Sequence, residues 1–220
     1  SRFSFGVCTL ELPIVDQEVT LPIILCGLLT KGLSHKGLRG ARGSGRVSGI
    51  LIVGAGAQAK YAVETFALCG QSVTAVMDFK PQPTVDWPQT YGCQVVGFDP
   101  DLRIAHALGT DRVLLCSPDP AQKAVLFRTA DGEGLSLVNA VHPAAVIATS
   151  AKLGRGLIIN AGSVIQPFAS VGDGAMIHAG VIVEHDTKVG EFANLAPGVR
   201  LAGWCNVGVG ATIFTGANLI

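Results

Sequence analysis

The chain has 220 residues, which is enough for one large domain or two modest ones with a buried core. Its 16 basic and 16 acidic residues balance to a formal net charge of zero, which argues against electrostatic capture of nucleic acid. Charged residues make up only 15% and aromatic residues 6%, whereas glycine occurs 28 times, so the composition suits short turns and thin strands better than a helix bundle.

Cysteine usage and hydropathy indicate a cytoplasmic protein. The six cysteines are scattered without a CxxC pair, so reduced thiols are expected rather than a disulfide framework or a zinc site. No apolar run approaches the roughly 18 to 20 residues that a membrane span needs. The start of the chain does not have the pattern of a signal peptide either.

Residues 1–46 receive no assignment beyond a segment followed by a linker. The stretch at 31–46, KGLSHKGLRGARGSGR, is rich in glycine and basic side chains, which is typical of a flexible, solvated linker.

Residues 47–141 alternate between apolar strands and helices. VSGILIVGAGAQAKYAVETFALCG predicts a buried strand, a glycine-rich turn and a helix, and SVTAVMDFK predicts a second strand that ends at Asp78. Further on we predict a strand at 94–96, a helix at 102–108, a strand in DRVLLCS, a helix in AQKAVLFRTADGEG and a closing strand in LSLVNAVHP. Strands that alternate with helices indicate a parallel sheet of Rossmann-like type.

The first turn of this region carries a phosphate-binding pattern. Residues 54–59, GAGAQA, fit G-x-G-x-x-A after a strand, and Asp78 follows at the distance expected of a ribose-binding acid. The glycines let backbone amides approach a phosphate, and the helix N-terminus adds a favourable dipole. Taken alone, this pattern predicts a dinucleotide site, as in an NAD-binding oxidoreductase domain.

From Ile147 onward an aliphatic residue recurs at every sixth position without a slip. A small or β-branched residue stands four positions after most of them. Neither a helix nor a plain strand has this period, whereas short strands separated by tight turns and stacked into a prism do. We therefore predict a parallel β-helix in which the aliphatic residues point inward: Ile147, Leu153, Ile159, Ile165, Val171, Ile177, Val183, Val189, Leu195, Leu201, Val207, Ile213 and Leu219.

The hexads VGDGAM and VGVGAT resemble those of the hexapeptide-repeat acyltransferases. The order of a nucleotide-binding-like region, then HP, then hexads resembles a narrower group, the sialic acid O-acetyltransferase and UDP-4-amino-sugar N-acetyltransferase family. The motifs that carry this likeness are LIVGAGAQAK, VMDFK, VHPAAVI, VEHDTKVGEF and LAPGVRLAG. The resemblance implies a left-handed β-helix with three hexads in each coil.

The resemblance also implies where acetyl transfer would occur. His185 would be the general base, and the adjacent Asp186 would orient its imidazole. The backbone N–H of Gly203, one coil further on, would bind the thioester oxygen. His178 stands where the family more often has asparagine and would touch the substrate. No histidine and carboxylate pairing has metal-ligand spacing, so no metal is expected.

In the resembled family the glycine-rich turn holds the UDP part of a sugar nucleotide. That role would fall to Gly54, Gly56, Asp78 and Lys80. This chain departs from the family pattern at two positions of the turn, where Ala57 replaces a common glycine and Gln58 a common histidine.

The expected organisation is a Rossmann-like sugar-nucleotide-binding domain at 47–141 and a left-handed β-helix acyltransferase domain at 142–220. Because the last residue falls inside a hexad, the second domain is expected to be truncated. The resemblance implies a homotrimer with acyl-CoA in grooves between neighbouring β-helices.

The expected function is transfer of an acetyl group from acetyl-CoA to an amino or hydroxyl group of a nucleotide-activated sugar. The first alternative is a catalytically incomplete fragment that binds sugar nucleotide and trimerises. The second is the NAD-binding oxidoreductase domain.

Overall fold

The computed structural model describes residues 49–80, 85–98 and 102–220, and Ser44–Ile220 forms one compact unit. The predicted segment and linker at 1–46 lie outside the described residues. No helix in the described ranges is long and apolar enough to cross a membrane.

Five parallel strands form the first sheet, in the order β3-β2-β1-β4-β5. The central strand has the sequence ILIV and is buried on both faces, as expected of a parallel sheet covered by helices. The strands predicted from the sequence are found here: β1 (Ile50–Val53), β2 (Val73–Met77), β3 (Gln94–Val96), β4 (Arg112–Leu115) and β5 (Ser136–Leu137).

Helices cover both faces of this sheet. The described helices are α1 (Ala57–Leu68), α2 (Ile104–Ala107) and α3 (Pro120–Gly132), with a 3-10 helix at Trp87–Tyr91. Side chains alternate along a strand, so successive residues of β1 face opposite sides of the sheet. Ile50 and Ile52 pack with α1, whereas Leu51 and Val53 pack with α2 and α3. The helix predicted at 102–108 is confirmed but short.

The hexads form three further parallel sheets. Each strand has two residues and pairs with the strand eighteen residues away, as Val164–Ile165 pairs with Ile182–Val183. The strands repeat every sixth residue: β6 (Ala140–Val141), β7 (Val146–Ile147), β8 (Lys152–Leu153), β9 (Ile158–Ile159), β10 (Val164–Ile165), β11 (Ser170–Val171), β12 (Met176–Ile177), β13 (Ile182–Val183), β14 (Lys188–Val189), β15 (Asn194–Leu195), β16 (Arg200–Leu201), β17 (Asn206–Val207), β18 (Thr212–Ile213) and β19 (Asn218–Leu219).

These sheets enclose the predicted core. The sixth-position aliphatic residues all belong to one hydrophobic cluster, most of them buried and those near either end partly so. Two polar side chains are buried among them and are satisfied by backbone groups: the Ser163 hydroxyl shares its proton between the carbonyls of Asn160 and His178, and Thr187 donates to the carbonyl of Ala202 at 2.7 Å. The prediction of a parallel β-helix is therefore confirmed.

The closing strand predicted over LSLVNAVHP is wrong in one respect, because the structure divides it in two. Residues 136–137 join the first sheet, whereas residues 140–141 pair with Ile158–Ile159 of the β-helix. The hexad pattern thus begins one repeat earlier than the sequence interpretation placed it. Val141 has the same hexad position as Ile147, but the apolar run around it resembles an ordinary strand. The domain limits at 47–141 and 142–220 stay predictions.

Helix α3 contacts the β-helix through an aromatic pair and an ion-pair cluster. Phe127 meets Phe192 edge to face, with ring centroids 5.1 Å apart. The guanidinium of Arg155 contacts the carboxylates of Asp131 and Asp173 at 2.8 Å and 3.0 Å. Because Asp131 belongs to α3 and the other two residues to the β-helix, this cluster links the two parts of the unit.

A buried lysine makes a third link. The Lys123 side chain of α3 is 1% exposed and its Nζ donates to the carbonyl of Gly174 at 3.1 Å. Burial lowers the pKa of Lys123 to about 8, and the nearby Cys116 thiol opposes this shift. Burial in turn raises the pKa of Cys116 to about 12. Lys123 is thus held between helix and β-helix, and within residues 49–80, 85–98 and 102–220 it forms no ion pair with a carboxylate.

Candidate active site

His185 and Asp186 are the two central residues of a corner turn between β13 and β14. Asp186 has a φ of 56°, in the left-handed region that aspartate tolerates better than most residues. This conformation lets its carboxylate reach back to its neighbour, and His185 Nδ1 lies 2.9 Å from Asp186 Oδ2. The imidazole remains accessible, with 53% of the side chain exposed. The predicted pairing of these side chains is therefore present in the geometry.

Gly203 lies directly beside the imidazole, one coil further along. A Cβ atom at this glycine would be 2.7 Å from both Cε1 and Nε2 of His185, so any side chain there would force the imidazole to move. The ring therefore occupies the space that a side chain at Gly203 would fill. The N–H of Gly203 makes no hydrogen bond with the described part of the chain. A free amide donor and an imidazole thus share one corner of the prism.

Two exposed aromatic residues flank this turn in the same corner of the prism. Phe168 and Trp204 stand eighteen residues before and after Asp186, and their side chains are exposed by 69% and 74%. Both also have left-handed backbone, with φ values of 62° and 66°. The Trp204 indole meets the His185 ring edge-on, with centroids 6.3 Å apart, and the backbone N–H of Trp204 donates to the backbone carbonyl of His185 at 3.2 Å. The sequence interpretation missed both aromatic residues, because turn positions do not follow the aliphatic period.

His178 lies away from this corner, on the wall of the β-helix that faces α1. It is half-buried and meets the Tyr61 ring edge-on, with centroids 6.4 Å apart. Burial lowers the pKa of His178, the Asn194 side chain opposes that shift, and the charge of Lys123 adds to it. The Oδ1 of Asn194 is buried, and no donor in the described part makes a hydrogen bond to it. His178 thus lies in a partly polar wall, with its pKa held below the ordinary value chiefly by burial.

The other predicted binding residues lie at the carboxyl ends of β1 and β2. Gly54 has a φ of 107°, and a Cβ atom there would be 2.8 Å from the Phe79 ring and 3.0 Å from the carbonyl of Cys116. Glycine is therefore required at this position by both conformation and space. Asp78 is 8% exposed and Lys80 is exposed. Gly56 is exposed, and a Cβ atom there would meet only Oε1 of Gln58 within 4 Å, at 3.7 Å, which leaves the turn accessible to a ligand.

The N-terminus of α1 offers unpaired backbone donors. No side chain caps it, and the N–H groups of Ala57 and Gln58 make no hydrogen bond within the described ranges. By contrast, the N-terminus of α3 is capped by Asp119, whose carboxylate accepts from the N–H of Ala121 at 2.9 Å. An uncapped helix N-terminus after a glycine turn is suited to an anion.

The structure therefore separates the predicted residues into three groups. His185, Asp186 and Gly203 lie together at one corner of the β-helix, and His178 lies on another wall. The glycine turn with Asp78 and Lys80 forms the edge of the first sheet. Among the described residues, no group of three or more histidine, cysteine or acidic side chains is placed to hold a metal ion.

Comparison with known proteins agrees with the repeat. The family described as bacterial transferase hexapeptide (six repeats) matches residues 168–203, and curated protein sequences give no match. The chain is 35% identical to perosamine N-acetyltransferase from Caulobacter crescentus, solved with CoA and GDP-perosamine, over 78% of this chain and 82% of that one, with a TM-score of 0.67. A second structure, of GDP-perosamine N-acetyltransferase from the same bacterium with the same ligands, is 30% identical over 78% and 90% of the two chains, with a TM-score of 0.59. The acetyltransferase domain of PglB from Neisseria gonorrhoeae, solved with acetyl coenzyme A, is 25% identical over 77% and 80%, with a TM-score of 0.67.

The fold and the exposed histidine corner define a hexapeptide-repeat β-helix protein. With the identity and coverage just given, the chain belongs to the hexapeptide-repeat acyltransferase family, in its group of sugar acetyltransferases.

Proposed function

We propose that this protein transfers an acetyl group from acetyl-CoA to an amino or hydroxyl group of a nucleotide-activated sugar, with His185 as general base. The observation that carries the proposal is the imidazole held between the Asp186 carboxylate and the unsubstituted face of Gly203. The sugar acetyltransferases to which the chain is similar support the reaction class, since they were solved with CoA or acetyl coenzyme A.

The pairing with Asp186 decides which nitrogen acts. A carboxylate only accepts hydrogen bonds, so the proton of a neutral imidazole sits on Nδ1 and Nε2 keeps its lone pair. Nε2 accepts the proton of the acceptor's amine or hydroxyl as that group attacks the thioester carbonyl. The C–N or C–O bond forms while the carbonyl oxygen takes the negative charge. Collapse then breaks the C–S bond, and the imidazolium returns the proton to the CoA thiolate.

The free N–H of Gly203 is the proposed donor to the developing oxyanion. A fixed amide donor of this kind typically stabilises a transition state by about 3 kcal/mol. The donor belongs to the backbone, so its position depends on the stacking of coils. That stacking is held here by the hydrogen bond from Trp204 N–H to His185 carbonyl at 3.2 Å.

The first sheet is the proposed Rossmann-like site for the nucleotide diphosphate. The uncapped N-terminus of α1 would bind phosphate, with Gly54 and Gly56 allowing close approach. Asp78 would contact the ribose or base, and Lys80 would neutralise phosphate charge. The departures from the family pattern in this turn leave the choice of nucleotide open to test, and the perosamine enzymes were solved with GDP-perosamine.

The remaining predictions concern assembly and substrate contact. We propose that His178 contacts the acceptor sugar, that the β-helix is left-handed, and that the protein is a cytoplasmic homotrimer in which acyl-CoA lies between neighbouring β-helices. Two of the perosamine N-acetyltransferase complexes were obtained with variants in which a histidine is replaced by asparagine or alanine. This supports a functional histidine in this group of enzymes.

Release of free CoA thiol, measured with UDP- and GDP-linked 4-amino sugars, tests the reaction. The His185→Ala variant is expected to lose about 10²- to 10⁴-fold in kcat. The matched control is His106→Ala, because His106 is an exposed histidine of α2 whose ring forms, among the described residues, a single hydrogen bond, with the carbonyl of Glu133. Equal turnover by wild type and His185→Ala would remove His185 from its proposed role.

Thermal-shift titration separates the alternatives. Stabilisation by acetyl-CoA and by UDP or GDP supports the acetyltransferase. Stabilisation by NAD without acetyl-CoA would favour the oxidoreductase domain, and stabilisation by nucleotide diphosphate alone would favour a binding module without activity.

A further inference from the structure

A cavity of about 160 Å³ lies between α1 and the β-helix, outside the groups proposed for acetyl transfer. Helix α1 contributes Tyr61, Glu64 and Thr65 to its walls. The β-helix side contributes His142, Asn160 and the two stacked turn alanines at positions 161 and 179. None of these residues has a part in the proposed reaction, so the cavity needs a separate account.

Two almost fully buried residues present polar groups to this cavity without a partner. Asn160 is 6% exposed and Thr65 is 2% exposed. Neither the carboxamide of Asn160 nor the hydroxyl of Thr65 makes a hydrogen bond with the described part of the chain. Both groups are open to the cavity rather than sealed from it, so a ligand there can form hydrogen bonds with them directly.

The third polar group is a histidine with a defined tautomer. The backbone N–H of Ala144 donates to Nδ1 of His142 at 3.0 Å. Since Nδ1 accepts this bond, the proton of the neutral ring is on Nε2. His142, which lines the cavity, can therefore offer its Nε2–H as a donor to a ligand.

The remaining walls select against charged ligands. Ala161 and Ala179 provide methyl groups, and Tyr61 provides an aromatic surface that is half exposed at the cavity mouth. The carboxylate of Glu64 disfavours an anion, and it already accepts from the Tyr91 hydroxyl at 2.8 Å. A cation would have to give up its hydration beside the donor of His142 and two methyl groups.

We propose that this cavity binds a small neutral secondary amide, the acetamido group of an N-acetylated sugar. Its carbonyl would accept from His142 Nε2, its N–H would donate to the oxygen of Asn160 or Thr65, and its methyl would pack on Ala161 and Ala179. A 150 Å³ cavity holds a molecule of about benzene size, so the acetamido group fits inside while the sugar ring stays at the mouth. The site goes beyond acetyl transfer and stands without it.

Binding is tested by isothermal titration and saturation-transfer NMR, in the absence of acetyl-CoA. The probes are N-methylacetamide, N-acetyl-D-glucosamine, D-glucosamine, acetate and an N-acetylated dipeptide amide. A buried group of few atoms supports a dissociation constant of about 1 mM. Binding of the first two probes with no binding of glucosamine or acetate supports the proposal. Tighter binding of a charged probe, or of the dipeptide than of the sugar, would overturn it.

Two variants tie the binding to the cavity. Thr65→Val removes only an unpaired hydroxyl, so the midpoint of unfolding should stay the same or rise while N-methylacetamide binding weakens by about five-fold. Ala179→Leu fills the exposed mouth and should weaken binding more than ten-fold. Thr215→Leu is its control, because Thr215 has the same turn position two coils away and does not line the cavity. Unchanged binding in both Thr65→Val and Ala179→Leu would place the amide elsewhere and refute the site.

Discussion

Replacing Gly203 by alanine is expected to reduce acetyl transfer without weakening the fold. Gly203 does not have a left-handed φ, so alanine fits the backbone there. At such a position a change from glycine to alanine raises stability by about 0.4–1 kcal/mol, because it restricts the unfolded chain. The free energy of unfolding should therefore stay equal or rise slightly, which separates this variant from one that simply unfolds.

The loss of activity follows from one distance. The new methyl group would be 2.7 Å from Cε1 and Nε2 of His185. Carbon atoms in contact sit about 3.5 Å apart, so the ring must retreat by about 0.8 Å. A misplacement of about 1 Å can cost about 10²-fold in rate, and kcat is expected to fall by about that factor. The KM for acetyl-CoA should change much less, because the substitution moves the base and leaves the backbone donor in place.

Steady-state kinetics and urea unfolding, run on the same preparations, check this prediction. The control is Gly132→Ala at the end of α3, where the added methyl meets open space and φ is not left-handed. It should gain comparable stability and keep full activity. A Gly203→Ala protein with wild-type kcat, or a solved structure of it with the His185 ring unmoved, would refute the reasoning.

Three further predictions concern charged groups. Asp186→Asn keeps a residue that tolerates the φ of 56° but removes the carboxylate that holds the imidazole tautomer, so kcat should fall at least about 100-fold; a change in KM alone would contradict this. Arg155→Gln should lower the free energy of unfolding by about 1 kcal/mol, and this difference should shrink in 1 M salt. The control is Arg128→Gln on α3, which should leave the free energy of unfolding unchanged because Arg128 has no ion pair in the described ranges. Lys123 has a folded pKa of about 8, below its ordinary value, so the unfolded chain binds more protons above that pH and stability should rise with pH. Urea unfolding should show a gain of about 1 kcal/mol between pH 8 and pH 9 that is missing in Lys123→Met; above that window the Cys116 thiol, with its pKa raised to about 12, opposes the rise.

The β-helix and the corner that holds His185 could be predicted from the sequence because the strand pairing that builds them is local to the repeat. Each strand pairs only with the strands eighteen residues away, so a six-residue period fixes the register of the whole prism. Once three hexads make a coil, His185 and Gly203 must lie in adjacent layers. The structure places them in contact.

The tertiary structure alone decided how the first sheet and the β-helix pack together. Lys123 appears in the sequence as one cation in an amphipathic helix, and only the packing of α3 against Gly174 buries it. The same holds for Asn160 and Thr65, which no period connects and which face one cavity because α1 lies across the β-helix. Contacts between two separately patterned parts depend on the orientation in which they dock, and no spacing along the chain records that orientation.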